Sequence, residues 1–287
     1  MGATGRRRTP TDGHRSGHES EAANMGSPGT GGRGPAHTLD LLWGTVRPGR
    51  RGPRGGLSVE AVVRAAMDLA DAEGLAAVSM RRVAESLDVT TMSLYRYVPG
   101  KDDLCDLMLD AASGTPDTAD WPDDWRGALE HLARDMRALF RRRPWVLEIP
   151  ISGPPLGPNN LAWMEAGLAA MRDTALDTGE RIRLLMLLTG HVRSEGQRDL
   201  SMERAGARTG VAPREWGRVY GEMLGRVLAD ERFPTLARHV REGMFDSPPN
   251  ADPEEDFEAG LALLLDGVEA LLARRAAAGD DEGPATG

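Results

Sequence analysis

The chain has 287 residues, 40% of them hydrophobic, and a net charge of −9 with a pI near 5.3. This length allows one or two domains, and the hydrophobic content is sufficient for a core. The single cysteine excludes an internal disulfide. The absence of an apolar run of about 18 residues excludes a membrane span. We therefore expect a cytoplasmic protein that makes no contact with a membrane.

Basic residues are concentrated at the N-terminus. Residues 1–56 contain nine arginines and four acidic residues, and residues 1–38 are rich in Gly, Ser, Thr and Pro without any periodicity. This composition is typical of disorder, so we interpret residues 1–56 as a disordered basic arm. Its arginines Arg50, Arg51 and Arg54 are separated by Gly and Pro, which suits an extended path along phosphates or in a DNA minor groove. A solvated linker is the alternative interpretation.

Two short helices with a tight turn are predicted between Ser79 and Lys101. Ser79 is suited to cap the first helix and Thr90 the second, and the break between them falls at residues 87–89. This arrangement is typical of a helix-turn-helix, whose second helix lies in the major groove of DNA.

Further helices flank this pair on both sides. Apolar side chains recur at helical spacing over residues 58–73, and Gly74 follows at the position expected of a C-cap residue. Another helix is predicted over residues 101–113. Four helices in so short a span predict a compact helix-turn-helix DNA-binding domain over residues 57–113.

Helical periodicity continues beyond a linker that contains Gly and Pro at residues 114–123. Helices are predicted at residues 125–142, 159–174, 178–205, 212–229, 233–244 and 252–276. No alternating pattern typical of β-strands is found. The sequence therefore predicts an all-α fold, in which a larger helical domain over residues 121–276 follows the helix-turn-helix domain. A disordered tail is predicted over residues 277–287.

Three segments of the helix-turn-helix region resemble the DNA-binding domain of the tetracycline-repressor (TetR) family. They are LAAVSMRRVA at 75–84, TMSLYRYV at 91–98 and KDDL at 101–104. The helical remainder is similar in layout to the family's ligand-binding and dimerisation domain. The N-terminal extension resembles that of some actinobacterial members linked to antibiotic export. Asp88 departs from the family pattern, which commonly has Gly at this turn, but Asp tolerates a left-handed backbone, so we expect the turn to persist.

The resemblance implies a transcriptional repressor that binds a palindromic operator as a homodimer and is released by a small-molecule effector. Its expected partners are double-stranded operator DNA, an unidentified effector and a second copy of the chain. The alternative is a DNA-binding regulator that a protein partner controls. An enzyme is not expected, because no P-loop, Gly-x-Ser-x-Gly elbow or His-Glu-x-x-His motif occurs. The six histidines lack the spacing of metal ligands, so neither a metal nor a cofactor is expected.

The exposed face of the second helix supplies the predicted contacts to DNA. Thr91 can donate a hydrogen bond to a base or phosphate, and Met92 can contact a thymine methyl group. Tyr95 and Tyr97 match family positions that contact DNA, and packing within the small domain is the alternative for both rings. Lys101, the only lysine, lies at a helix start that suits a phosphate, with a solvated surface lysine as the alternative. The full predicted DNA-binding set is Arg50, Arg51, Arg54, Arg81, Thr90, Thr91, Met92, Ser93, Tyr95, Arg96, Tyr97 and Lys101.

In the C-terminal region, polar residues follow the apolar segment 182–188 and can place polar groups in a mostly apolar cavity. The predicted effector contacts are His131, Trp163, His191, Glu195 and Gln197, and ordinary packing or surface roles are the alternative for each. The apolar stripe of the last helix predicts a dimer interface, because the family pairs its last helices across a two-fold axis. The predicted interface residues are Leu261, Leu264, Leu265, Val268 and Leu272, with ordinary core as the alternative.

Overall fold

The computed structural model describes residues 35–44, 57–151, 153–212, 215–228, 232–245 and 253–281. Within these ranges the chain forms α-helices and two short 3-10 helices and no β-strand, which confirms the all-α prediction. The α-helices are α1 (Pro35–Leu42), α2 (Val59–Glu73), α3 (Met80–Ser86), α4 (Thr91–Leu94), α5 (Lys101–Ser113), α6 (Trp125–Arg142), α7 (Pro158–Ala170), α8 (Thr178–Thr209), α9 (Trp216–Val227), α10 (Pro234–Arg241) and α11 (Pro253–Asp281). The 3-10 helices are Leu75–Ala77 and Pro144–Glu148. None of the described helices is long and apolar enough to cross a membrane.

Helices α2 to α5 form the N-terminal helix-turn-helix domain. Ser79 caps α3 as predicted, because its Oγ atom accepts a hydrogen bond from the Arg82 backbone N–H (3.2 Å). Ser58 caps α2 in the same way, with its Oγ atom accepting from the Ala61 backbone N–H (3.1 Å). The core between the four helices consists of side chains with almost no solvent exposure, namely Val62, Val83, Leu94, Val98, Leu104 and Met108.

The turn between α3 and α4 adopts the left-handed conformation expected at Asp88, whose φ is 52°. The backbone N–H of Val89 donates to the Ala84 carbonyl (3.0 Å), and that of Asp88 donates to the Glu85 carbonyl (3.2 Å). These two bonds form a Schellman motif, which closes the C-terminus of α3. Asp therefore holds the turn that the family commonly builds with Gly.

Three long helices, α6, α8 and α11, form the centre of the larger C-terminal domain. Helix α8 begins with a capping box, in which Asp177 and Glu180 each accept a hydrogen bond from the other's backbone N–H at 2.9 Å. The core of this domain includes Leu129, Leu132, Leu188, Val192, Phe257, Leu261 and Leu265.

Two predictions of disorder need correction. Residues 35–42 belong to the arm predicted over 1–56, yet they form α1, because Leu41 buries its side chain in the core. Residues 277–281 belong to the predicted tail, yet they continue α11, since the run Ala276, Ala277 and Ala278 favours a helix. Residues 1–34, 45–56 and 282–287 lie outside the described residues.

The predicted dimer interface is also corrected at two positions. Leu261 and Leu265 are completely buried in the core of the same chain, so their side chains are unavailable to a second copy. Leu264, Val268 and Leu272 are half-buried and pack on the edge of that core. The periodicity of α11 predicts an apolar side of the helix. It does not indicate which residues of that side pack inside their own domain and which remain accessible.

Candidate nucleic-acid interface

Helix α4 is a single turn that buries one side in the domain core and exposes the other side to solvent. Leu94 is fully buried, as is Val98 just beyond the helix. Met92 is 75% exposed and Tyr95 is 43% exposed, while Thr91 is half-buried beside them. The anchored inner side leaves an apolar group, a hydroxyl and a phenol on one small surface. That is the residue mixture a base-reading helix requires.

The hydroxyls of Thr90 and Ser93 are used within the chain. Thr90 Oγ1 accepts a hydrogen bond from the Ser93 backbone N–H (3.2 Å), and the two hydroxyl oxygens lie 2.9 Å apart. Thr90 therefore caps α4, and Ser93 shares that cap. Both retain further hydrogen-bonding capacity, but their first role is to fix the start of the helix.

The two arginines at the start of α3 differ sharply in their pairing. Arg82 binds Glu73 through two hydrogen bonds of 2.6 and 2.9 Å, which raises the pKa of the guanidinium and lowers the pKa of the Glu73 carboxyl. Arg81 is exposed and meets Glu85 only at 3.5 Å. Arg82 therefore ties α3 to α2, whereas Arg81 is available to a phosphate or a base edge.

Three further predicted residues lie close along the chain beyond α4. Arg96 is exposed, and Tyr97 is half-buried against the core of the small domain, consistent with the packing alternative for its ring. Lys101 is exposed at the first position of α5. Arg50, Arg51 and Arg54 lie outside the described residues.

Helix α5 connects this surface to the C-terminal domain through a buried carboxylate. Asp110 accepts hydrogen bonds from the Asn160 backbone N–H (2.9 Å), the Asn160 amide (2.9 Å) and the Asn159 amide (3.1 Å). Gly157 lies so close that an added Cβ would stand 2.1 Å from Asp110 Oδ1. The carboxylate therefore occupies the start of α7, where a negative charge and an acceptor are both favourable.

A second connection runs through the 3-10 helix Pro144–Glu148. The Trp145 indole N–H donates to Asp71 on α2 at 2.6 Å. From the other side, the guanidinium of Arg193 on α8 donates to the carbonyls of Leu147 and Ile149, both at 3.0 Å. Burial lowers the pKa of Arg193. The 3-10 helix is thus held between α2 and α8. Sequence reasoning missed both connections, because neither Asp110 nor Asp71 belongs to a motif.

The predicted effector contacts all have partners within the chain. His131 Nδ1 lies 2.9 Å from the Gly127 carbonyl oxygen, and the Trp163 indole donates to the Gly114 carbonyl at 2.9 Å. Glu195 pairs with Arg198, and the Gln197 amide donates to the Leu147 carbonyl at 3.4 Å. These groups are distributed over α6, α7 and α8.

His191 is half-buried and packs against the start of α11. Its ring stacks on Phe257, with the centroids 5.4 Å apart, and its Nε2 is 3.1 Å from the Phe257 carbonyl oxygen. Arg137, only 2% exposed, also packs on Phe257, with its guanidinium 4.3 Å from the ring centre. Its Nη1 is 2.8 Å from Glu254. The burial of Arg137 was not predicted, because an arginine in an amphipathic helix is expected on the solvent-facing side.

Comparison with known families identifies both domains. Residues 62–108 match the family described as bacterial regulatory proteins, tetR family. Residues 115–272 match the tetracyclin repressor-like C-terminal domain. The chain belongs to the TetR family. It is therefore a DNA-binding transcriptional regulator, with a helix-turn-helix domain followed by a larger helical domain.

Individual relatives agree with this assignment. The chain is 44% identical to the HTH-type transcriptional repressor DrrR1 of Streptomyces coeruleorubidus, over 87% of this chain and 92% of that protein. It is 28% identical to the class A tetracycline repressor protein from transposon 1721 of Escherichia coli, over 80% of this chain and 98% of the other. Among solved structures, the TetR family protein ActR of Streptomyces coelicolor in complex with actinorhodin matches with a TM-score of 0.60 and 28% identity. That match covers 75% of this chain and 98% of ActR.

Proposed function

We propose that this TetR-family protein binds a two-fold symmetric operator as a dimer and releases it when a small organic molecule binds the C-terminal domain. The observation that carries the proposal is the exposed face of α4, where Met92 and Tyr95 stand outward from a turn anchored by Leu94. Arg81 and Lys101 flank this face as exposed cations. Base-reading groups at the centre with phosphate-binding groups at the rim are the arrangement that sequence-specific binding needs.

A second copy provides the affinity that one small reading face lacks. Helices α8 and α11 leave apolar side chains exposed, namely Ile182, Met186, Leu187 and Leu263. Leu263 is 76% exposed although its neighbours on α11 form the core. These four residues define the exposed stripe. Exposed apolar surface on two long helices suits pairing with the same surface of a second chain, which would place two reading faces on one duplex.

Control by an effector is supported by the two connections between the domains. Asp110 joins α5 to α7, and Trp145 joins α2 to the 3-10 helix that Arg193 holds from α8. A molecule that displaces α7 or α8 would therefore shift the DNA-binding domain through hydrogen-bonded contacts. ActR binds actinorhodin in a related fold, which favours a small organic effector here.

Selection of binding sites from a pool of random DNA duplexes tests the DNA half of this proposal. The full-length chain should enrich a palindromic sequence whose half-sites lie about one helical turn apart, and sedimentation should give two chains per duplex. Enrichment of an asymmetric sequence, or a single chain per duplex, would contradict the dimer assignment.

Titration of small molecules into the complex with the selected operator tests the effector half. Actinorhodin is the first probe, followed by a library of natural products, and release is measured by fluorescence anisotropy. A releasing compound should also raise the thermal midpoint of the free protein, because a ligand stabilises the state that binds it. If no compound does either, control by a protein partner becomes the better account.

A further inference from the structure

Helix α1 lies outside both segments that match the TetR family, 62–108 and 115–272. It nevertheless docks onto the rest of the chain. Leu41 is 5% exposed and belongs to the main core, and Leu42 packs against that core. Helix α1 packs on α5, the last helix of the DNA-binding domain. This extension therefore has a structural attachment that the family assignment does not explain.

One attachment point of α1 is near the DNA-facing end of α5. The Thr38 hydroxyl donates to Asp103 Oδ1 at 2.9 Å. Asp103 is in the first turn of α5, two residues after Lys101. The contact thus fixes α1 beside the helix start at which a phosphate contact is proposed.

The other attachment point is on the C-terminal domain. The Trp43 indole N–H donates to the Leu156 carbonyl at 2.9 Å. Leu156 directly precedes Gly157, the residue that lies against Asp110. Helix α1 and its following turn therefore contact both partners of the α5–α7 junction, one through Thr38 and one through Trp43.

We propose that α1 is a strap that holds α5 against the segment 153–157 and so fixes the orientation of the DNA-binding domain. Thr38, Leu41 and Trp43 are then positioning residues for operator binding, although none of them needs to contact DNA. In a dimer, the orientation of each DNA-binding domain sets the distance between the two reading faces. The strap therefore determines how strictly the protein selects the spacing of half-sites. This consequence for DNA rests on the proposed function.

Leu41→Asp is the variant that undocks the strap, and Leu39→Asp is its matched control, because Leu39 lies on the same helix but is 39% exposed. Hydrogen–deuterium exchange on the full-length protein is measured first. Leu41→Asp should speed exchange in residues 35–44, 153–157 and along α5, whereas Leu39→Asp and the conservative Leu41→Met should not. Unchanged exchange in residues 35–44 would show that Leu41 is not the anchor. Faster exchange confined to residues 35–44 would show that α1 braces nothing. Either result overturns the proposal.

The second measurement compares operators whose half-site spacing is changed by one base pair. The parent protein and Leu39→Asp should lose about tenfold or more in affinity on misspaced operators, while Leu41→Asp should lose less than about threefold. Trp43→Phe, which retains the ring but not the N–H donor, should fall between them. Equal spacing selectivity in the parent and the undocked variant would overturn the positioning role. If the parent protein binds no DNA, the proposed function fails, and the exchange experiment still decides whether the strap exists.

Discussion

Asp88 is the residue at which this chain differs most clearly from the family's usual turn. Its φ of 52° is a conformation that Gly adopts without steric cost. Asp pays a steric cost there, although a smaller one than most other residues pay. Its carboxylate also lies at the C-terminal end of α3, where a negative charge is unfavourable. Both effects act against stability, so the position is open to improvement without any change in the fold.

Asp88→Gly should therefore raise the free energy of unfolding by about 0.5–1 kcal/mol, because it removes the steric cost and the unfavourable charge. Asp88→Ala, the control, removes the charge but keeps the Cβ, so it should be neutral or destabilising. Urea denaturation of the three proteins measures the difference. A loss of stability in Asp88→Gly would show that the Asp88 side chain makes a contribution that the backbone geometry does not reveal.

Asp110 is a buried carboxylate whose partners would be left unpaired by its removal. Asp110→Ala should lower the free energy of unfolding by about 2–3 kcal/mol, since amide and backbone donors at the start of α7 lose a charged acceptor. Gly157→Ala should weaken the same junction without removing the charge, because the new Cβ would overlap Asp110. Asp102→Ala, on the exposed side of α5, is the control. Equal midpoints for Asp110→Ala and Asp102→Ala in thermal denaturation would refute the role of this junction.

At the scale of elements, α8 and α11 are joined by an ion pair as well as by packing. The Arg275 guanidinium donates to Glu180 at 2.6 and 2.8 Å. This pairing, with the Asp177 backbone N–H, lowers the pKa of Glu180 to about 2. A carboxyl whose pKa is depressed in the folded state contributes stability above its unfolded pKa. That contribution disappears as the pH falls towards the folded pKa.

Glu180→Gln should consequently reduce the loss of stability between about pH 5 and about pH 2, because the contribution of the Glu180 carboxyl disappears as the pH falls from its ordinary pKa of 4.5 towards its folded-state pKa of about 2. Glu203→Gln, at an exposed position of the same helix, should retain the pH dependence of the parent protein. Chemical denaturation across this pH range is the measurement. Identical pH profiles for Glu180→Gln and the parent protein would contradict the assignment.

The helix boundaries were predictable where capping and turn residues close in the sequence determine them. Ser79 and Thr90 act as the caps that the sequence indicated, and Asp88 forms the expected left-handed turn. Helix α1 was missed because its flanking residues have the composition of a disordered segment, while its stability depends on burying Leu41 in a distant core. A local sequence pattern does not indicate that a side chain will be buried against a distant part of the chain.

At the scale of the whole molecule, the exposed side of α4 was more predictable than the contacts that join the helix-turn-helix domain to the rest of the chain. Tyr95 and Met92 are exposed as predicted, because a short motif places them outward from α4. The bond between Trp145 and Asp71 joins residues 74 positions apart, and nothing in either local sequence indicates it. The same holds for α11, where periodicity indicated an apolar helix but not which of its sides packs against its own domain.

Met186→Asp and Leu263→Asp should disrupt the dimer, because each places a charge in the exposed stripe of α8 and α11. Sedimentation should show monomers for both, with operator affinity reduced by about tenfold or more, since a single reading face remains per particle. Ile151→Asp is the matched control, being an exposed apolar residue in a loop. Dimers that persist in both stripe variants would place the interface elsewhere.

Operator binding by two matched tyrosine variants tests the central claim most directly. Tyr95 and Tyr220 are similarly exposed, at 43% and 49%, but only Tyr95 lies on the proposed reading face. By fluorescence anisotropy on the selected operator, Tyr95→Ala should weaken binding about tenfold to a hundredfold, the range expected for a lost base or backbone contact. Tyr220→Ala should bind like the parent protein. Parental affinity in Tyr95→Ala, or an equal loss in both variants, would contradict the assignment of α4 as the DNA-reading helix.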